Sequence, residues 1–309
     1  MAQIKPLNAE LQKLAIDELG EVPARIADDL QALKLWIQAE PHLRARTDDQ
    51  FLIQFLRGCK YSLERAKEKI DLFYSLKTKY PSMFGSIDVD DGKFRTIHNM
   101  GCYIALPKPL NENGPRIVVF RFSYNAAEYS IDDVFLPGAA MHEVMIYNDP
   151  YACINGIIYL VDFELATGSH FLQMTPNFCM KLLSFLEKSM PYRVKHIYYL
   201  NTSPAAQQFL KALLLFFSEK LKQRITILGQ DKKEWIQHIP AAYLPRDFGG
   251  ENSSCEEAAR EYNKIWDSYK EYFKENSQYG TDEKLRQGQP LDLDGLFGVG
   301  GSFRKLAVD

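Results

Sequence analysis

Apolar side chains recur every three to four positions through roughly the first 80 residues, the spacing of amphipathic helices. Leu30, Leu33, Trp36 and Ile37 predict a helix that ends before Pro41. Thr47-Asp48-Asp49 supplies a cap and early acids for a second helix through Phe51, Leu52, Phe55 and Leu56. A third opens at Ser62, carries Glu64 and Glu68 early, buries Ile70, Phe73 and Leu76, and stops before Pro81. No repeat of fixed period is visible.

Near residue 100 the pattern changes. Arg116 to Phe122 is a β-branched and aromatic run behind Gly114-Pro115, and Ile131 to Tyr147 has helical spacing. Gly156 to Val161 is uniformly apolar, as in a strand buried on both faces. Thr175-Pro176 starts a helix bearing Phe178, Leu182, Phe185 and Leu186 to about Ser189. Strand His196–Leu200, an apolar helix from Ser203-Pro204, and strand Ile225–Leu228 complete an alternation that implies parallel crossovers. After Gly249-Gly250 a charged helix carries Tyr262, Trp266, Tyr269 and Phe273, and a Gly-rich tail holds Leu296, Phe297 and Phe303. The expected organisation is a helical domain over 1–95, an α/β domain over 96–252, and a C-terminal helix and tail over 253–309.

Composition narrows the class. With 309 residues, 46% hydrophobic and 25% charged, the chain is an ordinary globular protein. A net charge of −3 provides no global positive field, so nucleic acid is not an expected partner and any affinity for phosphate must be local. The N-terminus has no apolar signal core, and no stretch approaches the ~18 apolar residues of a membrane span. The cysteines, at 59, 102, 153, 179 and 255, lack CxxC spacing, which fits reduced thiols and no metal site. The expected location is cytoplasmic.

Motifs for catalysis are missing. There is no P-loop, and no GxGxxG opens a helix after a strand. His142-Glu143 begins a zinc-protease pattern, but position 146 is Ile where a second histidine is needed. Thr167-Gly168-Ser169-His170 lacks the second glycine of a nucleophile elbow. Asp162 and Glu164, at the end of a buried strand, read as capping and pairing groups, and His142 reads as a polar group of a core or pocket wall. No catalytic residue and no cofactor are expected.

The segment from Pro191 to Arg224 says more. Arg193 and Lys195, two apart in extended chain, point the same way. Lys220 and Arg224, four apart, share a face if the helix reaches that far. Between these pairs Phe209 to Phe217 is apolar on nearly every side except at Lys211. Such a helix is either ordinary core or a cover with one face on a pocket and another toward lipid; periodicity leaves both readings open.

Several motifs together resemble the CRAL-TRIO family, which includes the alpha-tocopherol transfer and cellular retinaldehyde-binding proteins. They are Asp49 to Lys60 with Leu63-Glu-Arg-Ala66; Gly156 to Phe163; Thr175-Pro176; Met190 to Ile197 with Asn201; and Leu244 to Gly250. The ending Leu296 to Lys305 is similar to tails of arthropod members. The resemblance implies an α/β fold: an all-helical N-terminal part, then a bowl with a mainly parallel sheet as floor, flanking helices, and the apolar helix as a mobile lid. It also implies a phosphoinositide-reading patch of Arg57, Lys60, Arg193, Lys195, Lys220 and Arg224, with Cys59 standing where the family motif has an arginine.

For the ligand pocket, the positions facing the inferred bowl are Phe122, Phe135, Ala139, His142, Ile158, Leu160, Phe163, Phe171, Phe185, Phe209, Leu213 and Phe216. Gly138 and His142 stand where tocopherol-binding members place small hydroxyl residues, so a tocopherol, retinoid, isoprenoid, sterol or phospholipid all remain open. The function this implies is binding of one hydrophobic molecule and its transfer at phosphoinositide-containing endosomal or plasma membranes. The alternative is a phosphoinositide-binding adaptor that moves no ligand.

Overall fold

The protein is described by a computed structural model covering residues 2–288 and Leu291; the tail motif from Leu296 lies outside the described residues. The helical spacing of the N-terminal third becomes α1 (Ala9–Leu19), α2 (Ile26–Ala39), α3 (Asp49–Gly58), α4 (Leu63–Lys79), α5 (Pro81–Phe84) and α6 (Gly92–Asn99), with a two-residue strand β1 (Leu43–Arg44) before α3. Asp48 caps α3, its carboxylate accepting the Phe51 N–H at 3.1 Å. The rings of Phe51, Phe55, Phe73 and Tyr74 pack edge-on or tilted where α3 meets α4.

The second part begins with β2 (Tyr103–Ala105) and β3 (Arg116–Arg121), followed by α7 (Ile131–Asn148) and α8 (Pro150–Asn155). Then come β4 (Ile157–Asp162), α9 (Gly168–Gln173), α10 (Pro176–Leu183), β5 (Val194–Leu200), α11 (Pro204–Leu213), α12 (Glu219–Lys222), β6 (Ile225–Ile227) and α13 (Lys232–His238). The five-stranded sheet has the order β2-β3-β4-β5-β6. Its β3, β4, β5 and β6 neighbours run parallel, as the alternation implied, and only β2 is antiparallel. Strand β2 has no counterpart in the sequence reading.

The sheet has two unlike faces, sorted by alternate side chains. Ile104, Ile117, Val119, Ile158, Leu160 and Leu200 share one core with Trp235 of α13, Leu244 and Phe248. Tyr103, Val118, Phe120, Tyr159, Ile197 and Tyr199 look the other way, toward α7, α10 and α11. The C-terminal helices α14 (Cys255–Ser268) and α15 (Lys270–Asn276) return to the helical part, and β7 (Gly280–Thr281) pairs with β1. Trp266 packs edge-on against Phe94 of α6 at 5.2 Å. Glu143 of α7 takes the Lys77 ammonium of α4 at 2.8 Å and is also bonded by Asn276 of α15. These buried polar contacts join the helical part, the α/β part and the C-terminal helices.

Candidate functional site

On the second face of the sheet lies a narrow apolar cavity. One cross-strand row of its floor is Tyr103, Phe120, Val161 and Tyr199, in register across β2, β3, β4 and β5. Tyr159 and Ile197 form the next row. Ile131 and Phe135 of α7 and Phe178, Cys179, Leu182 and Leu183 of α10 make the walls. Leu213, Phe217 and Leu221 close it from the apolar segment. The protein-free space counted with its open mouth is about 770 Å³, but the cavity volume itself is only about 80 Å³, so the cavity is narrow with the cover closed. No charged side chain lines it among the described residues.

On the same side of the sheet, in α7, His142 is fully buried. Its Nδ1 faces the Gly138 carbonyl at 2.8 Å, so Nδ1–H donates there and Nε2 accepts from the Tyr159 hydroxyl at 2.7 Å. Burial pushes the imidazole down to about 4, so it stays neutral. The histidine fixes two elements to each other and offers no proton near neutral pH.

The cover is a helix that loosens toward its end. Ser203 caps α11, accepting the Ala206 N–H at 3.2 Å, and Pro204 occupies its first turn. Beyond Leu213 it tightens into a 3₁₀ turn over Leu214–Phe216 and then becomes extended at Phe217. Leu210, Leu213 and Phe217 point inward, whereas Leu215 is 79% exposed. On neighbouring α9, Leu172 is 81% exposed while Phe171 stacks on Phe209 of α11 at 4.8 Å. The all-round apolar run therefore divides into an inner face on the cavity and an outer face in water.

Cations gather beside the cover. Lys195 is held below its ordinary value by burial and then by Arg193; Glu18 opposes this, while Arg224 and Lys60 add repulsion. These four cations thus face one another, with one carboxylate beside them. The Arg193 guanidinium donates to the Ile154 carbonyl and that of Arg224 to the Val194 carbonyl. Lys220 is exposed on α12 and faces Lys69, whose ammonium burial pushes down to about 8. Lys69 donates to the carbonyls of Glu187, Lys188 and Met190 at 2.9, 3.2 and 2.7 Å, capping the π-helical turn Ser184–Ser189 that continues α10.

Residues 22–94 match the family model described as Pinta-like, UBA domain, and residues 101–250 match the CRAL/TRIO domain. The chain is 25% identical over 296 residues to an alpha-tocopherol transfer protein-like protein of Mus musculus, covering 94% of this chain and 84% of that one. It is 26% identical over 246 residues to clavesin-2 of Homo sapiens, covering 79% and 75%. The crystal structure of Sfh5 matches with a TM-score of 0.50 at 10% identity, covering 87% of this chain and all of that one. The chain belongs to the CRAL/TRIO family. That family binds and transfers lipids.

Within the CRAL/TRIO domain, the expected pocket residues divide. Phe135 and Leu213 line the cavity. Ala139 and Phe185 lie in the same core, Phe185 stacked on Phe84 at 4.6 Å. Phe122, Phe163, Phe171 and Phe209 form a continuous seam of rings from β3 to α11, with half-buried Phe216 packed on the same core. Ile158 and Leu160 do not face the bowl: they lie on the opposite face of β4, because alternation sends Tyr159 and Val161 to the cavity. Reading the alternation from Tyr159 rather than Ile158 recovers the lining, but a uniformly apolar run does not display its parity.

Two expectations about the cations are corrected as well. Arg57 is 2% exposed and cannot meet a membrane; its Nε bonds the Glu21 carboxylate at 2.8 Å. Lys220 and Arg224 share no helix face, since α12 ends at Lys222. Cys59, at the motif position where the family has arginine, is buried, whereas Lys60 turns outward through a left-handed backbone, φ 52°, to face the cluster.

Proposed function

We propose that this chain is a non-catalytic carrier that encloses one hydrophobic lipid-like molecule and exchanges it at an anionic, phosphoinositide-containing membrane. The observation that carries the reading is the uncharged cavity closed by a segment whose outer face exposes Leu215 beside Leu172. A molecule in this cavity meets only hydrocarbon, rings and a few hydroxyl or thiol groups. The one thiol in the lining, Cys179, is pushed up to about 12 by burial and is a poor nucleophile. Docking places the Lys60, Arg193, Lys195, Lys220 and Arg224 region on anionic headgroups, each surface cation contributing about 1 kcal/mol. The cover then opens against acyl chains, so the ligand leaves without crossing water.

The test is fluorescent-ligand transfer to vesicles with and without phosphatidylinositol bisphosphate, using Lys60→Glu/Lys220→Glu. Transfer to bisphosphate vesicles should fall about tenfold or more while ligand affinity in solution stays unchanged. Equal transfer by both proteins would remove the docking role. Bisphosphate-dependent vesicle binding without ligand movement would identify an adaptor instead.

A further inference from the structure

The cover, residues 203–217, meets the cavity walls through apolar side chains, a contact that carries no directional preference. Its own hydrogen bonds are local: Ser203 caps the first turn, Gln207 reaches back to Thr202, and the Phe217 N–H returns to the Leu214 carbonyl. Among the described residues, one side-chain hydrogen bond ties the end of the cover to a wall. Ser218 Oγ, directly after Phe217, donates to the Glu187 carboxylate at 2.8 Å. Glu187 directly follows Leu186, and both Leu186 and Phe217 line the cavity. The bond therefore spans the seam where cover and wall meet.

Its two sides are built differently. Glu187 lies in the π-helical turn Ser184–Ser189, where the Lys69 ammonium of α4 holds the Glu187 and Lys188 carbonyls and Ser189 Oγ donates to the Phe185 carbonyl at 2.9 Å. That wall is fastened to the helical part. Ser218 stands where the backbone changes course: the chain leaves its 3₁₀ turn, is extended at Phe217 (φ −87°, ψ 146°), and restarts as the four-residue α12. The same hydroxyl accepts the Leu221 N–H at 3.1 Å and so caps α12, which carries the exposed Lys220. Junctions between short elements are where a moving segment absorbs its change in φ and ψ.

We propose that the Ser218–Glu187 hydrogen bond is the catch that positions the closed cover and sets how often it opens, with α12 as its release. This rests on the carrier reading and names the residues that regulate its exchange step. An anion engaging Lys220 moves α12 together with Ser218, because the cap joins them, and draws the hydroxyl away from Glu187. An anionic surface also repels the Glu187 carboxylate, so both effects act in the same sense. The catch holds beside neutral lipid and yields where anions are dense.

The test is hydrogen exchange over residues 204–217 of the full chain, beside transfer of N-phenylnaphthylamine to phosphatidylcholine vesicles with and without phosphatidylinositol bisphosphate. Glu187→Ala removes the acceptor and leaves the cap of α12. It should speed exchange over 204–217 about three- to tenfold, with exchange in α3 unchanged. Ser218→Thr keeps the hydroxyl and should behave like wild type, while Ser218→Ala/Glu187→Ala should open no further than Ser218→Ala alone. Transfer to phosphatidylcholine vesicles should rise by the same factor in Glu187→Ala, so the advantage of bisphosphate vesicles shrinks by that factor. Exchange unmoved by Glu187→Ala, or effects of the two substitutions that multiply, overturns the catch and leaves the carrier reading intact. If exchange is faster in Glu187→Ala but no protein moves the probe, the contact stands and the carrier reading falls.

Discussion

Replacing Arg57 by methionine separates a structural cation from a membrane-facing one. The Glu21 side chain is fully buried and accepts from Arg57 Nε at 2.8 Å, Tyr61 Oη at 2.7 Å and Gln12 Nε2 at 2.8 Å. Burial alone raises a carboxyl; Arg57, helped by Gln12 and Tyr61, outweighs it, so this one lies below its ordinary value. Two unit charges about 4 Å apart at an effective dielectric of about 20 attract by about 4 kcal/mol. Breaking such a pair from one side costs about 3–5 kcal/mol, because the remaining charge stays buried. Arg57→Met should therefore lower Tm by about 10 °C. Glu21→Gln/Arg57→Met should recover more than half of the loss, giving a coupling of about 2–3 kcal/mol in a urea double-mutant cycle. The deficit of the single variant should shrink from pH 7 to pH 4.5, where Glu21 without its partner takes up a proton. At a temperature where the variant is folded, vesicle binding should match wild type. A coupling below about 0.5 kcal/mol, or weakened vesicle binding by a fully stable Arg57→Met, would refute the reasoning.

Other consequences follow from burial and exposure. His142 and His98 are each pushed down to about 4 by burial, against 6.5 for the free side chain. The unfolded chain takes up these protons first as pH falls, so stability is complete above 6.5 and is lost toward pH 4, by roughly 1.4 kcal/mol per pH unit per histidine; a urea midpoint unchanged from pH 7 to 4.5 would contradict this. Leu172→Asp/Leu215→Asp should cut vesicle capture at least tenfold in flotation, since each leucine offers about 1.5–3 kcal/mol on entering hydrocarbon, and should leave ligand affinity alone. Gly58→Ala should destabilise by about 1–3 kcal/mol or more in chemical denaturation, because its Cβ would sit 1.9 Å from the Pro191 carbonyl oxygen.

Element types were legible where local signals agree. The caps at Asp48, Ser203 and Thr175 precede helices, and the apolar run 157–161 lies in a parallel strand. What escaped was set by tertiary contact. Strand β2 is three residues long and gains its order by pairing with β3. Arg57 sits on the polar side of α3, where helical periodicity points to solvent, but Gln50, Gln54 and Arg57 are all buried. The cavity floor is rich in Tyr103, Tyr159 and Tyr199, residues whose amphipathic character conceals which face of a strand they take.

The two arginines of the basic cluster are not free tethers. Each is pinned through one of its donors to a main-chain carbonyl, Arg193 to Ile154 and Arg224 to Val194, while Lys60 and Lys220 stand exposed. A guanidinium held this way keeps its other N–H groups in a fixed plane, so an arriving anion freezes few additional torsions. The cluster thus combines a rigid stencil of planar donors with two movable point charges. Exchanging either arginine for lysine conserves net charge yet dissolves the stencil, and that loss would appear as poorer discrimination among anions rather than as weaker attraction to charge.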